Sequence, residues 1–312
     1  MYLKSCSLFA GSIPQLYSDA YDTMKAYEYK ELDAVDLANL IDDRQVTPAE
    51  LLALAQELTE LKNEALNAIV QTFWELADKQ LNELTNGPFA GIPFLIKNLN
   101  QQVSGTVTTN SSKLFLNELS DQDTTLVSRY KSAGLAIFGK TNTPELAVGG
   151  HTMNKIFGST ANAYDTSKSA GGSSGGAATA VAASLVPFAD GTDMMGSLRN
   201  PPAFSNLYGF RPTPGVIPED RIDFKKNYPI LQSAGCIAKT PNELALFLDA
   251  IAGKHELDPI SFDLTSSFRD KEFSDSEFLN LKIAWLGDMQ GQYKFESGII
   301  ELCENKLQIL EK

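Results

Sequence analysis

Two serines and one lysine are the residues in this chain whose types and surroundings most clearly predict chemistry. Ser173 lies in the run SAGGSSGGAATA, where four glycines surround a pair of serines. Ser197 follows 24 positions later, in the run GTDMMGSLR, and Lys97 ends the short apolar run PFLI. A serine hydroxyl becomes a nucleophile when a base removes its proton, and a buried, neutral lysine can be that base.

Three interpretations of the glycine-rich segment around Ser173 can be weighed. A phosphate-binding loop would end in Gly-Lys-Ser or Gly-Lys-Thr, which this run does not contain. A flexible linker would not lead directly into an alanine-rich helix and the strand-like run LVPFA. The segment also fits the Gly-x-Ser-x-Gly nucleophile elbow of α/β-hydrolases, which requires a preceding strand and a catalytic histidine. The preceding run DTSK is not strand-like, and the one downstream histidine, His255, lies in a polar turn.

Composition narrows the classes of function. The chain has 312 residues, of which 43% are apolar and 21% charged, close to the averages of globular proteins. The net charge is −13, and the sequence shows no cluster of basic residues of the kind that binds phosphates in nucleic-acid-binding proteins. We therefore expect no nucleic-acid partner. We also expect no membrane span, because no window approaches eighteen consecutive apolar residues. Three widely spaced cysteines and an N-terminal run unlike a signal peptide favour a cytoplasmic location.

Helical and strand-like segments alternate around the three residues. Capping boxes at Thr47 and Thr240 predict helices that begin at the next residue, and Asp123 is expected to cap a third helix. Because strands separated by helices favour a covered sheet, we predict an α/β fold with a mixed β-sheet covered by helices on both faces. Strands are expected at residues 68–73, 93–97, 135–138 and 281–286, and a last helix from about residue 297.

The order and spacing of these motifs resemble the amidase signature family of serine hydrolases. The resemblance rests on GGSSGG and GTDxxGSxR, on the strand-end lysine before them, and on the runs GKTNTPE and YGFRPTPG. It extends from about residue 30 to the end of the chain. We therefore expect an N-terminal extension over residues 1–29 and an amidase signature domain over residues 30–312, of which the C-terminal part is missing.

The resemblance implies a role for each candidate residue. The residue matching Ser197 is the family's nucleophile and forms an acyl-enzyme, the one matching Lys97 is the base, and Ser173 lies between them after a cis peptide bond. The oxyanion would be held by the backbone amides of adjacent residues, namely Met194, Met195, Gly196 and Ser197. The same loop would be supported by Ser174, Asp193 and Arg199. This chemistry implies no metal and no cofactor.

Three positions depart from the family's usual pattern. Asn98 follows the lysine where aspartate is common, and Met195 stands where glycine is usual. The two adjacent methionines could line an apolar pocket or pack within the loop, and the sequence leaves both open. Asn200 stands where subunits that amidate tRNA-bound glutamate carry glutamine. Together with the acidic balance, this weighs against a tRNA-linked role.

We predict an amidase that hydrolyses a small-molecule carboxamide to a carboxylic acid plus ammonia or an amine. The alternative is a non-catalytic, truncated remnant or an interaction module of the same fold. A chain that lacks later strands would expose an unpaired sheet edge, so we expect it to be prone to aggregation and weakly active or inactive. A homodimer is compatible with the sequence.

Overall fold

A computed structural model of the chain describes residues 24–220, 231–269, 274 and 280–308. The chain divides into two compact units, Met1–Asp270 and Lys271–Lys312. The helices are α1 Ala26–Glu31, α2 Ala34–Asp42, α3 Pro48–Leu66, α4 Trp74–Asn82, α5 Thr125–Ser132, α6 Gly175–Ala182, α7 Asn200–Phe204, α8 Pro241–Ile251 and α9 Ile299–Leu307. The strands are β1 Ile69–Thr72, β2 Pro93–Lys97, β3 Ala136–Thr141, β4 Met153–Asn154, β5 Gly158–Ser159, β6 Phe188–Asp193, β7 Tyr208–Phe210 and β8 Ser233–Ala238.

The first unit is built on a sheet whose six described strands follow the order β1-β3-β2-β6-β8-β7. Strand β2 runs parallel to β3 and β6, while the outer pairs are antiparallel, so the sheet is mixed as predicted. Every residue of β2, β3, β6 and β8 is buried. Because successive side chains of a strand point to opposite faces, both faces of the central sheet are covered. Helix α4 packs against β3, α6 against β6 and α8 against β8.

The two predicted capping boxes are present. Glu50 and Thr47 exchange hydrogen bonds at the start of α3, where Thr47 Oγ1 accepts from the Glu50 N–H at 3.2 Å. Thr240 and Glu243 do the same at α8. The Glu243 carboxylate also accepts from the Ala34 N–H at 2.6 Å, so α2 and α8 begin at one buried carboxylate. Desolvation raises the pKa of Glu243 to about 7.

The predicted cap at Asp123 is wrong. Helix α5 has Thr124 at its N-cap position, and the Thr124 side chain forms no capping hydrogen bond. The first helical N–H, that of Thr125, donates to the Asp220 carboxylate at 3.0 Å. The Asp123 carboxylate instead accepts from the Ser104 N–H at 2.8 Å and pairs with Lys131 Nζ at 2.6 Å. Both carboxylate oxygens of Asp123 are therefore bound, one to Ser104 and one to Lys131, and neither caps the helix.

The predicted strand at residues 281–286 is also wrong, since this segment has no regular secondary structure. Leu281 and Ile283 are 51% and 55% exposed, and no described strand of the second unit pairs with them. An apolar run forms a stable strand only when another strand satisfies its amides and carbonyls. The last predicted helix is confirmed as α9, which begins two residues after the expected position.

The packed core extends before the predicted domain boundary. Tyr29, in α1, is 1% exposed and its hydroxyl donates to the Leu185 carbonyl at 3.5 Å. The first unit therefore includes residues before position 30, and the boundary at 30 stays a prediction. Most of the predicted extension, residues 1–23, lies outside the described residues.

Candidate active site

Lys97 lies at the end of β2, where this strand separates from β6. The two strands pair through a single register position, Leu95 with Ala189. The Lys97 side chain is 0% exposed. Its Nζ lies 2.7 Å from Ser173 Oγ, and it also contacts Ser174 Oγ at 2.9 Å and Thr192 Oγ1 at 3.0 Å. The structure thus brings together two of the three predicted catalytic residues and one predicted supporting residue.

Burial sets the protonation of Lys97. All three close partners of Nζ are neutral hydroxyls, and no carboxylate of the described residues pairs with it within 4 Å. Desolvation lowers the pKa of Lys97 to about 7, although the negative charges of Asp190 and Asp193 oppose this change. Near neutral pH a large fraction of this lysine is therefore a neutral amine, which can accept a proton.

The turn that carries Ser173 depends on its glycines. The peptide bond between Gly172 and Ser173 is cis, as the resemblance implies, and Gly171 has a positive φ of 74°. A Cβ on Gly172 would lie 2.8 Å from both the Gly149 carbonyl oxygen and the His151 nitrogen, so no side chain fits there. The turn leads into α6, which begins at Gly175.

The nucleophile-elbow interpretation does not match this geometry. No strand precedes the turn, because residues 165–168 are irregular. Neither histidine hydrogen-bonds to Ser173 or Ser197 within the described part of the chain. The His151 ring contacts Ser169 Oγ at 2.8 Å, and the His255 ring contacts Thr125 Oγ1 at 3.4 Å.

Thr152 holds the Ser173 turn from outside, a role that its sequence context does not indicate. Its hydroxyl donates to the Gly171 carbonyl at 2.9 Å and accepts from the Gly175 N–H at 3.0 Å. Its own N–H also donates to the Gly171 carbonyl, at 2.9 Å. These three hydrogen bonds bracket Ser173 on both sides. A threonine in a polar loop carries no local signal for this role.

Asp193, the last residue of β6, closes the turn that carries Ser197. Its buried carboxylate accepts from the Gly196 N–H at 2.8 Å and the Leu198 N–H at 3.0 Å, and it pairs with Arg199 Nε at 2.9 Å. Desolvation opposes ionisation of Asp193, but the hydrogen bonds from Arg199 and the two backbone amides outweigh it and lower the pKa of this carboxyl. These contacts fit the bracing role predicted for Asp193 and Arg199.

Ser197 is half-buried on this turn, between exposed methionines and α7. Among the described residues, no hydrogen bond joins its hydroxyl to Ser173. The Gly196 N–H, one of the predicted oxyanion donors, is already donated to Asp193. Met194 and Met195 are 45% and 87% exposed, so Met195 does not pack within the loop.

Two further charged residues behind Lys97 were missed. Asp190 lies fully buried in β6, and Lys140 is fully buried in β3. Lys140 Nζ donates to the Val107 carbonyl at 2.9 Å and to Thr108 Oγ1. Desolvation raises the pKa of Asp190 to about 7 and lowers that of Lys140 to about 7. The sequence signal for this cluster was an aspartate directly after the apolar run LVPFA.

Asn98, which departs from the family's usual aspartate, is also buried. Its Nδ2 donates to Thr109 Oγ1 at 2.7 Å, while its Oδ1 has no hydrogen-bond partner among the described residues. The amide therefore ties the end of β2 to the following loop through one of its two ends.

Comparison with known proteins decides the family. The family model described as Amidase matches residues 50–312. The chain belongs to the amidase signature family. An acylamidase from Rhodococcus erythropolis is 33% identical to it over 289 residues, which are 90% of this chain and 60% of the relative. One glutamyl-tRNA(Gln) amidotransferase subunit, from Azoarcus sp. (strain BH72), is 36% identical over 235 residues, which are 73% of this chain and 48% of the relative.

Solved structures of this family share the fold. The structure of 6-aminohexanoate cyclic dimer hydrolase complexed with substrate aligns with a TM-score of 0.80 at 25% identity. The alignment covers 90% of this amidase signature chain and 59% of the other. The chain thus spans about 60% of the length of this structure and of the acylamidase. None of the helices in the described residues has the length and hydrophobicity needed to cross a bilayer.

Proposed function

We propose that this amidase signature protein hydrolyses a carboxamide to a carboxylic acid plus ammonia or an amine. The observation that carries the proposal is the buried Lys97, whose Nζ lies 2.7 Å from Ser173 Oγ and whose pKa is lowered to about 7 by desolvation. A neutral lysine at a serine hydroxyl is a general base suited to neutral pH. The acylamidase and cyclic-dimer hydrolase among its relatives support an amide as substrate.

The proposed mechanism uses two serines in sequence. Ser197 Oγ attacks the carbonyl carbon while its proton passes to Ser173 Oγ, and the Ser173 proton passes to Lys97 Nζ. Collapse of the tetrahedral intermediate breaks the C–N bond, and the proton returns through Ser173 to the leaving nitrogen. Water then attacks the acyl carbon while its proton passes through Ser173 to Lys97. The bond to Ser197 Oγ breaks, the proton returns to that oxygen, and the acid is released. Catalytic hydrogen bonds are often long before substrate binds, which fits the missing Ser173–Ser197 contact.

The oxyanion hole that we propose has three backbone donors, one fewer than the sequence suggested. Because the Gly196 N–H already donates to Asp193, the remaining donors are the amides of Met194, Met195 and Ser197. The exposed side chain of Met195 leaves it free to contact an apolar part of the substrate. We therefore favour contact with an apolar part of the substrate over packing within the loop as the role of Met195.

The substrate expected as a partner is a small-molecule amide, which follows from the proposed reaction. Three expectations stay predictions: that the protein binds no nucleic acid, that it can form a homodimer, and that it is located in the cytoplasm. The family likeness includes a tRNA-dependent amidotransferase subunit, so Asn200 and the acidic balance are what argue against that role here.

A matched substrate panel tests the proposed function. The purified protein is incubated with primary amides, anilides and alkyl amides of the same aryl and acyl acids, and acid release is followed by mass spectrometry. We expect a low rate, as predicted for this chain, with acid and ammonia or amine released in equal amounts and none from a Ser197→Ala variant. A cooperatively folded protein that releases no acid from any amide would favour the non-catalytic alternative.

Thr152→Val is expected to lower kcat for amide hydrolysis by about 10- to 100-fold, because small misplacements of a reacting group cost that much. Valine keeps the shape of threonine but removes the hydroxyl that bonds Gly171 and Gly175. The change should fall on kcat more than on KM, since Thr152 positions Ser173 and is not expected to contact substrate. Steady-state kinetics measure this split.

Two variants control the Thr152 prediction. Thr152→Ser restores the hydroxyl and should recover most of the rate. Thr179→Val removes another buried threonine hydroxyl, which donates to the Ala161 carbonyl at 2.8 Å away from the turn, and should retain wild-type kcat. Wild-type kcat in folded Thr152→Val would show that Thr152 does not position Ser173.

A further inference from the structure

Asp190 is a buried carboxylate with an unusual position. It lies in the middle of β6, is 0% exposed, and neighbours β2 and β8 in the sheet. Its Oδ1 accepts from the backbone N–H of Lys97, and its Oδ2 accepts from the Tyr130 hydroxyl at 3.2 Å. Carboxylates are almost never fully buried unless other groups stabilise them. Two such groups converge on Asp190, and one belongs to the lysine of the candidate active site.

The charge of Asp190 is not balanced by an arginine. The neighbouring carboxylate of Asp193 pairs with Arg199 at 2.9 Å and with Arg211 at 3.4 Å. Within the part of the chain that the structure describes, Asp190 forms no ion pair within 4 Å. Its negative charge therefore acts through the protein interior on the two buried lysines, Lys97 and Lys140.

Asp190 also takes the place of a strand partner. Strands β2 and β6 pair only at Leu95 and Ala189, so the backbone of Lys97 no longer pairs with β6, although it still pairs with Thr141 of β3. The side chain of Asp190, one residue beyond Ala189, satisfies the freed Lys97 N–H. The two strands can therefore separate there without leaving the buried Lys97 amide unsatisfied.

We propose that Asp190 is a positioning residue for Lys97. The Asp190 carboxylate anchors the backbone of Lys97, and its negative charge stabilises the ammonium form of the lysine. The inference rests on the proposed function for the role of Lys97 as base. When Lys97 accepts the Ser197 proton through Ser173, a positive charge forms in a buried site. Asp190 is placed to stabilise that charge. Asp193 stabilises it less, because Arg199 and Arg211 already balance the charge of its carboxylate.

The titratable groups around Asp190 separate into two kinds. Desolvation raises the pKa values of Tyr130 and Cys236 well above their usual range, so both stay neutral between pH 5 and 9. Asp190, Lys97 and Lys140 are left as the groups of this cluster that titrate near pH 7. Three more carboxylates act on this cluster electrostatically: Asp193 on Lys97, Glu219 on Tyr130 and Glu243 on Cys236.

Asp190→Asn tests the inference, because asparagine keeps an oxygen for the Lys97 N–H and removes the charge. The protein is labelled with ¹³C at lysine Cε, and each lysine is titrated by NMR, with Lys97→Met identifying the Lys97 signal. We expect the Lys97 midpoint to fall by about 1 to 2 pH units, the size of a single nearby charge. Where amide hydrolysis is measured, the acid limb of kcat/KM should move by the same amount.

Two further variants complete the test. Tyr130→Phe removes a hydrogen bond that favours ionised Asp190, so the Lys97 midpoint should fall by a smaller amount. Tyr130→Phe also keeps the inference testable if Asp190→Asn does not fold. Asp123→Asn removes a carboxylate that pairs with Lys131 away from this cluster, and should leave the Lys97 midpoint unchanged.

The outcomes separate the two proposals. An unchanged or higher Lys97 midpoint in folded Asp190→Asn, or in Tyr130→Phe if only that variant folds, overturns the role of Asp190. If the wild-type protein hydrolyses no amide, the proposed function is overturned. The NMR titration still reports the effect of the Asp190 charge on Lys97 in that case.

Discussion

Lys97→Met is expected to lower kcat/KM for amide hydrolysis by about 10⁴-fold, because no other base among the described residues contacts Ser173. In the wild-type protein, the rate should rise with pH through about 7, the pKa to which burial lowers this lysine. Below that pH the ammonium form has no lone pair to accept the Ser173 proton. Rates measured from pH 5 to 9 with one amide substrate check both statements.

The same substitution has a second signature in stability. Unfolded lysine keeps its proton up to about pH 10.5, whereas folded Lys97 loses it near pH 7, so the unfolded state binds more protons between these values. The free energy of unfolding should therefore rise with pH across this window, and Lys97→Met should flatten the rise. Lys140 acts with the same sign, so part of the slope should remain. A Lys97→Met protein with most of the wild-type rate would contradict the mechanism.

Ser197→Ala is expected to lower kcat by a similar factor of about 10⁴, because the acyl-enzyme can no longer form. A fluorophosphonate probe should label the wild-type protein at Ser197, and mass spectrometry of the digested adduct identifies the labelled serine. Labelling should be lost in Ser197→Ala. It should weaken in Lys97→Met, because the base that activates the hydroxyl is absent.

A matched serine variant controls the labelling. Ser167→Ala removes an exposed serine near the glycine-rich turn and should leave labelling unchanged. An adduct on Ser173 in place of Ser197 would reverse the assigned roles of the two serines. It would return attention to the nucleophile-elbow interpretation, despite the irregular segment before the turn.

Local sequence patterns predicted those parts of the fold whose cause is local. The capping boxes at Thr47 and Thr240 are confirmed because each box is closed by residues within one helix turn. The strands at β1, β2 and β3 were predicted within a few residues because their apolar runs are short and bounded. Asp123 was predicted wrongly because a residue distant in sequence occupies its carboxylate. Residues 281–286 were predicted wrongly because a strand forms only against a second strand, which the apolar run by itself does not specify.

The candidate site divides in the same way. The sequence by itself determined the family and singled out Lys97, Ser173 and Ser197 as candidates, since the motifs and their order are properties of the sequence alone. Only the tertiary structure placed Thr152 across the Ser173 turn and Asp190 behind Lys97, because these contacts join segments far apart in the chain. The lowered pKa of Lys97 was likewise decided by the fold. Desolvation depends on how completely the surrounding sheet and helices exclude water, and no short sequence pattern encodes that.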